Sequence, residues 1–358
     1  MLALKQHKKT KNTGIVKCLI FFMASVCILG FPSGASAGAM KGLKISSSVI
    51  IPSLFPFTVC SVYFQKSGGL LWLSNKLDKI TRKFFKLSGT EFSVVFLSLL
   101  GGYPIGAKIT NELYISRALD KPTAKKLLRF CVNPSPAFFI SVVGMNIFKN
   151  TLVGVILFIS NTLSCLLLNC LFTPKTKNRP ITSTEFKGEN FSDSFVQSVL
   201  TAAEITINIC AFVILFSAIC EIFKTMPISL KAYSFIAPFL EISFGITEIS
   251  QIGIPTHFYG FILAFGGIST IFQVKQAAKN INPSFIYILF HRIVHGFVTL
   301  IISLLLFKLF PINYEVFSNG TVIKFTEYPL FMPSVMLIIF SVLFLMFVTT
   351  PSEKLEIR

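Results

Sequence analysis

Apolar runs of about 20 residues, the length a helix needs to cross a hydrocarbon core, recur along this chain and leave little choice of fold. In lipid every backbone N–H and C=O must be satisfied within the chain, so such runs form helices. Composition agrees: 53% of the 358 residues are hydrophobic, 13% are charged, forty are Phe, and the mean hydropathy is +0.72. A disordered, collagenous, disulfide-scaffolded or ordinary cytosolic protein is excluded. The expected class is all-α, a polytopic integral membrane protein.

The charge is lopsided, with 33 Lys and Arg against 15 Asp and Glu, a net +18. Basic residues retained in cytoplasmic loops orient membrane spans and face anionic headgroups, which accounts for the excess without nucleic acid. The eight cysteines lie in or beside apolar runs without CxxC pairing, so they read as reduced, buried hydrophobes.

The first 37 residues combine a basic start, an apolar stretch and Ala35-Ser36-Ala37, which imitates a signal-peptidase site. The alternative is an uncleaved span, favoured by the late apolar stretch after Lys17, whose small residues Ser33, Gly34, Ala37 and Gly38 allow close helix packing. We divide the chain into a basic tail and first span (1–45), a first repeat (46–172), a polar linker (173–204), a second repeat (205–349) and a tail (350–358). A last span is expected from Leu330 to Val348, after a polar loop from Pro311 to Pro329.

The repeats are matched by Leu97-Ser98-Leu99-Leu100-Gly101-Gly102 and Ile262-Leu263-Ala264-Phe265-Gly266-Gly267. Each is followed by a turn with a proline and a helix carrying Arg129 or Arg292. Twelve Lys or Arg lie between Lys66 and Arg129, but four between Lys224 and Asn282. With basic flanks inside, the two repeats are inverted, and each Gly-Gly segment is expected to be a re-entrant hairpin. Leu70 to Lys86, amphipathic and basic, is expected along the interface, and so, in one reading, is its counterpart Ile228 to Ile249.

Candidate binding groups follow from broken backbone and from polar groups at membrane depth. Gly101, Gly102, Tyr103, Pro104 and Gly106 cannot continue a regular helix, so they either kink it or turn the chain and free backbone groups for a ligand. Asn133-Pro134-Ser135-Pro136 places an amide and a hydroxyl beside unpaired carbonyls, with Asn133 and Ser135 as donors or as interhelical bonds. Gly266, Gly267, Ser269 and Gln273 supply the second segment, as ligands or as glue between helices. Arg292 offers a carboxylate site or snorkels to the interface. Glu241 and Glu248 are candidates for ion coupling, or are solvated if their stretch lies at the interface. His291 and His295 stand one turn apart, but no third ligand accompanies them, so no metal is expected, and no cofactor either. No nucleophile with its base, Walker loop or hydrolase carboxylate pair is present, which argues against an enzyme.

Pro52-Ser53-Leu54-Phe55-Pro56-Phe57, Gly101 to Lys108, Phe130 to Phe138, and Ala264 to Ser269 with Gln273 resemble the YlbJ-type sporulation integral membrane proteins of the nucleoside-recognition (Gate) group. The resemblance spans about Ala35 to Phe310 and departs from the usual pattern at Val132 and at Thr270 to Phe272. It implies a sporulation role in moving dipicolinate across the outer forespore membrane, and kinship with concentrative nucleoside transporters. The expected partners are therefore a small organic anion or a nucleoside, membrane lipids and other sporulation membrane proteins, with no nucleic acid.

Overall fold

A computed structural model describes residues 18, 19, 21–23, 25–172 and 191–312. All belong to one compact unit, Met1–Ser318; the other unit, Asn319–Arg358, lies outside the described residues, and so do the expected last span, the C-terminal tail and most of the polar linker. No strand occurs among the described residues. Among the described residues five helices are long and apolar enough to span a membrane. The chain is a polytopic integral membrane protein.

The first long element is α1 (Pro32–Ile45), continued through a π-helical turn (Ser46–Ile50) into α2 (Ile51–Lys66). The boundary expected after residue 45 thus falls inside one continuous 35-residue helix. Its small residues serve for packing: Cβ atoms built on Gly34, Gly38 and Gly42 would lie 3.1, 2.4 and 2.7 Å from the long helix α8 (Phe191–Thr225). The two run antiparallel, since Gly34 meets Thr225, Gly42 meets Ile214, and at the far end Tyr63 meets Phe195.

At the Lys66 end, α3 (Gly69–Phe85) lies at 91° to α4 (Gly89–Gly101), as expected of an interfacial helix. Trp72, Lys76, Ile80, Lys83 and Phe84 are exposed, and Ser74 and Thr81 face the protein. Ser88 and Glu91 form a capping box that starts α4. The chain reverses at Gly102–Pro104 into α5 (Ile105–Ile115): Gly106 lies against Ser98, and Glu112 returns to Gln65 at the end of α2. The first hairpin is re-entrant, with both ends on the basic face.

From that face α6 (Lys121–Phe130) rises to an extended break at 131–135 and resumes at Phe138–Ile147 as a π-helix. The next helix, α7 (Thr151–Leu171), runs back beside it, pairing Gly154 with Ile140, Asn161 with Asn133, and Cys165 with Phe130. A hairpin, a broken crossing helix and a straight return form the first repeat.

The second repeat has the same order but is shifted from the expected segments. Its hairpin is α9 (Leu230–Leu240) with α10 (Ile242–Ser250): Gly245 lies against Pro238 and Ala237, so the arms are antiparallel and turn at Glu241. The Gly266-Gly267 segment does not re-enter. Helices α11 (Thr256–Phe265) and α12 (Gly267–Ala277) pass it in one direction, beside α13 (Phe285–Leu309). His257 meets Ser303, Phe265 meets Arg292, and Phe272 meets Phe285, an antiparallel register kept along the whole length. Both glycines have positive φ, 81° and 82°, so they kink a crossing helix and do not reverse it. The interfacial reading of Ile228 to Ile249 is corrected in the same way, because Tyr233, Ala237, Glu241 and Phe244 are buried.

The repeats are inverted. The first hairpin has its base at the Lys66 end of α2, and the second follows Thr225, which lies at the opposite end of the α1–α8 pair.

Candidate functional site

Each interrupted helix places its interruption at the same place. A Cβ on Gly102, at the first hairpin tip, would lie 3.1 Å from the Ser135 nitrogen in the α6 break. One on Gly266, at the α11–α12 kink, would lie 2.7 Å from the Tyr103 hydroxyl, and one on Gly267 would lie 3.2 Å from the Leu240 carbonyl at the second hairpin tip. Two tips and two breaks therefore touch in sequence, where backbone groups are released from helical pairing.

A cavity of about 30 Å³, room for one or two waters, lies at this junction. Tyr103 and Ser135 line it from the first repeat, Glu241, Ser243, Thr270 and Gln273 from the second, and α2 and α8 close it with Leu54, Ile209 and Val213. A solute fits only when these elements part. Tyr103 follows the first tip through a cis bond to Pro104, and its hydroxyl donates to the Leu263 carbonyl at 2.6 Å, tying that tip to the opposite repeat.

Glu241 is both the turn and the charge of the second tip. Its Oε2 accepts from the Phe244 N–H at 2.6 Å and caps α10, and its backbone N–H closes α9 on Ala237. The residue is 1% exposed and has no ion-pair partner among the described residues. A buried carboxylate without a cation is costly, and in a membrane it marks a functional position.

Of the other expected residues, Asn133 and Arg292 stand behind the cavity wall. Asn133 donates to the Phe130 carbonyl at 2.8 Å and accepts from Asn161 at 3.2 Å. Arg292 does not snorkel; it is buried and donates to the carbonyls of Phe265 and Val132. Pro104 is the N-cap of α5 at the first tip. Gly101 and Gly106 are packing positions, and a Cβ on Gly106 would lie 2.0 Å from the Cys131 carbonyl. Ser269 is buried and accepts from the Gln273 amide at 3.3 Å. Glu248 is away from the cavity, 3.4 Å from Lys224 near the end of α8. His291 and His295 meet the Phe130 ring edge-on, and no group of three His, Cys, Asp or Glu able to hold a metal occurs among the described residues.

Two elements escaped the sequence reading. Ser243 follows a helix start, Ile242, whose position depends on the true second hairpin. Lys126, counted among the orienting charges, is 1% exposed and bonds Glu91 at 2.6 Å between α6 and the base of the first hairpin. Its place between Lys125 and Arg129 in a basic helix gave no hint of burial.

The fold and this junction define a polytopic integral membrane protein with inverted repeats around a small cavity that a few polar side chains line. No family model matches the sequence. Over 146 residues it is 25% identical to the sporulation integral membrane protein YlbJ of Bacillus subtilis strain 168, a match covering 41% of this chain and 36% of that protein's length. A solved structure of a CNTnw variant in its intermediate 1 state is similar at a TM-score of 0.45 and 14% identity, over 80% of this chain and 85% of the other.

Proposed function

We propose that this protein is a secondary carrier of sporulation, moving a small organic solute, foremost dipicolinate, across the outer forespore membrane by alternating access. The observation that carries the reading is the meeting of two inverted hairpin tips and two helix breaks around one small cavity, mostly apolar, into which a few polar side chains reach. Such a site opens to either face when one repeat moves against the other. The sporulation setting is supported by the relative's name. The cavity holds hydroxyls, an amide and one carboxylate, which suits binding rather than catalysis. Glu241 is assigned the coupling role, taking up a proton or a cation as the cavity closes.

A nucleoside is the second reading, favoured by the neutral hydrogen-bonders Ser135, Thr270 and Gln273, which suit a ribose and a base. The test is uptake of labelled dipicolinate and labelled uridine into liposomes holding the purified protein, with ion gradients imposed in turn. The expected result is saturable dipicolinate uptake that follows one gradient, and a Glu241→Gln variant that no longer responds to it. Uridine uptake alone selects the nucleoside reading. Folded protein that moves neither solute, and tolerates Asn133→Ala and Glu241→Gln in sporulating cells, marks a structural or assembly protein instead.

A further inference from the structure

Helix α3 exposes two kinds of residue on two flanks. With 3.6 residues per turn, Ile80 and Phe84 stand one turn apart on one flank, 52% and 66% exposed. Lys79 and Arg82 stand on the other, and Trp72, Lys76 and Lys83 run between them at i, i+4 and i+11. Trp72, the single tryptophan of the sequence, is 57% exposed. Apolar side chains this open are costly in water, and a Trp-bearing helix with an apolar flank beside a basic one fits the boundary between hydrocarbon and headgroups. The Lys76 and Lys83 ammoniums lie 4.9 and 5.6 Å from the Trp72 and Phe84 ring centres, so positive charge sits directly beside the aromatic side chains. The helix has four basic residues and one acidic, Asp78. That carboxylate is already taken: Oδ2 accepts from the Arg82 Nε at 2.7 Å and Oδ1 from the Gly89 N–H at 2.8 Å. Lys76, Lys79 and Lys83 have no acidic partner among the described residues.

We propose that α3 is a binding surface for anionic phospholipid, with the Lys76, Lys79 and Lys83 ammoniums on the headgroup phosphates and Trp72, Ile80 and Phe84 in the acyl boundary. Charge complementarity selects the occupant, because a zwitterionic headgroup brings its own cation and an anionic one does not. The consequence falls on the first hairpin, whose base α3 carries. The Gly89 N–H that starts α4 is held by Asp78, the Ser74 and Thr90 hydroxyls bond at 3.1 Å, and a Cβ on Gly89 would lie 1.9 Å from the Ser74 carbonyl oxygen. With backbones this close, α3 cannot shift at the membrane surface without moving the start of the hairpin. Occupancy of this surface does not depend on what the cavity binds, so it stands apart from the carrier reading.

Because Trp72 is the single tryptophan, its fluorescence reports lipid at α3 directly. The full chain is reconstituted in mixed phosphatidylglycerol and phosphatidylcholine vesicles, with one lipid or the other brominated high on an acyl chain as the quencher. Phosphatidylglycerol should quench with a preference of at least about fivefold at low salt, the worth of one lysine near an anionic surface, and the preference should fall as salt rises. Lys76→Gln, Lys79→Gln and Lys83→Gln together should abolish it, and arginine at the same three positions should keep it. Arg117→Gln, Lys121→Gln and Lys279→Gln, at exposed basic positions outside α3, should leave it unchanged. Hydrogen exchange at the Gly89 amide should be slower in phosphatidylglycerol than in phosphatidylcholine, and the α3 glutamine triple should remove that difference. Equal quenching by the two lipids, quenching by neither, or a preference that survives the α3 glutamine triple in protein of unchanged helicity overturns the lipid site, as does an equal loss in the triple outside α3. Gly89 exchange that is the same in both lipids overturns the link to the hairpin.

Discussion

Replacing Lys126 with alanine is expected to remove about 3–5 kcal/mol of stability, although sequence alone would count it among exposed lysines. The ammonium is buried with Glu91, whose other oxygen accepts from the backbone and hydroxyl of Ser88 at 2.8 and 3.0 Å. Truncation leaves that carboxylate charged in a dry site at the base of the first hairpin. Removing both charges avoids this penalty: Lys126→Met combined with Glu91→Gln keeps an acceptor for the Ser88 cap and should recover most of the loss. Unfolding followed by circular dichroism in detergent reads both variants. A single-variant loss below about 0.5 kcal/mol, the size of an ordinary surface exchange, would contradict the buried pair.

The second large effect is expected at Gly245. A methyl there would stand 2.1 Å from the nitrogen of Pro238 and 2.2 Å from its Cα, both backbone atoms that cannot rotate away. Gly245→Ala should therefore drive α9 and α10 apart and cost about 3 kcal/mol or more, at the upper end of overpacking effects. Because the arms meet one turn from Glu241, uptake should be lost as well. The control is Gly30→Ala, where nothing lies within 4 Å, and where Tm and uptake should stay near wild type. Full stability of Gly245→Ala would mean that the second hairpin is not packed as described.

The membrane class, the helical architecture, the first hairpin and the inversion were legible because each rests on a strong local signal. Apolar length defines a span, Gly-Gly-Tyr-Pro cannot continue a helix, and basic clusters mark one face. The second hairpin was missed because its tip contains no glycine. The turn is made by Glu241, whose side chain caps the next helix, and in sequence such a residue looks like a charge misplaced in an apolar run. The Gly266-Gly267 pair drew the hairpin assignment instead, although two positive-φ residues serve equally well to kink a crossing helix. The continuous helix from Pro32 to Lys66 was read as two spans because prolines and serines interrupt its pattern, and a π-helical turn absorbs that interruption.

Site residues divided by the same logic. Tyr103, Ser135, Glu241 and Gln273 were chosen for being polar at broken or apolar positions, and all four line one cavity. Asn133 and Arg292 were chosen on the same grounds, yet their partners are carbonyls released by the breaks. Sequence shows that a polar group needs a partner but not which one it finds. For Glu248 the partner is Lys224, supplied by a different helix.

The central claim is that two hairpins enter from opposite faces and meet at one cavity. It is tested most directly by sided labelling of a cysteine-free protein carrying either Ser116→Cys, at the base of the first hairpin, or Gln251→Cys, at the base of the second; both positions are exposed. With a membrane-impermeant maleimide on intact non-sporulating cells that carry the protein in their plasma membrane, the Gln251→Cys protein should be labelled at once, and the Ser116→Cys protein only after the membrane is opened. Labelling of both from the same side would contradict the inverted arrangement and the carrier reading built on it.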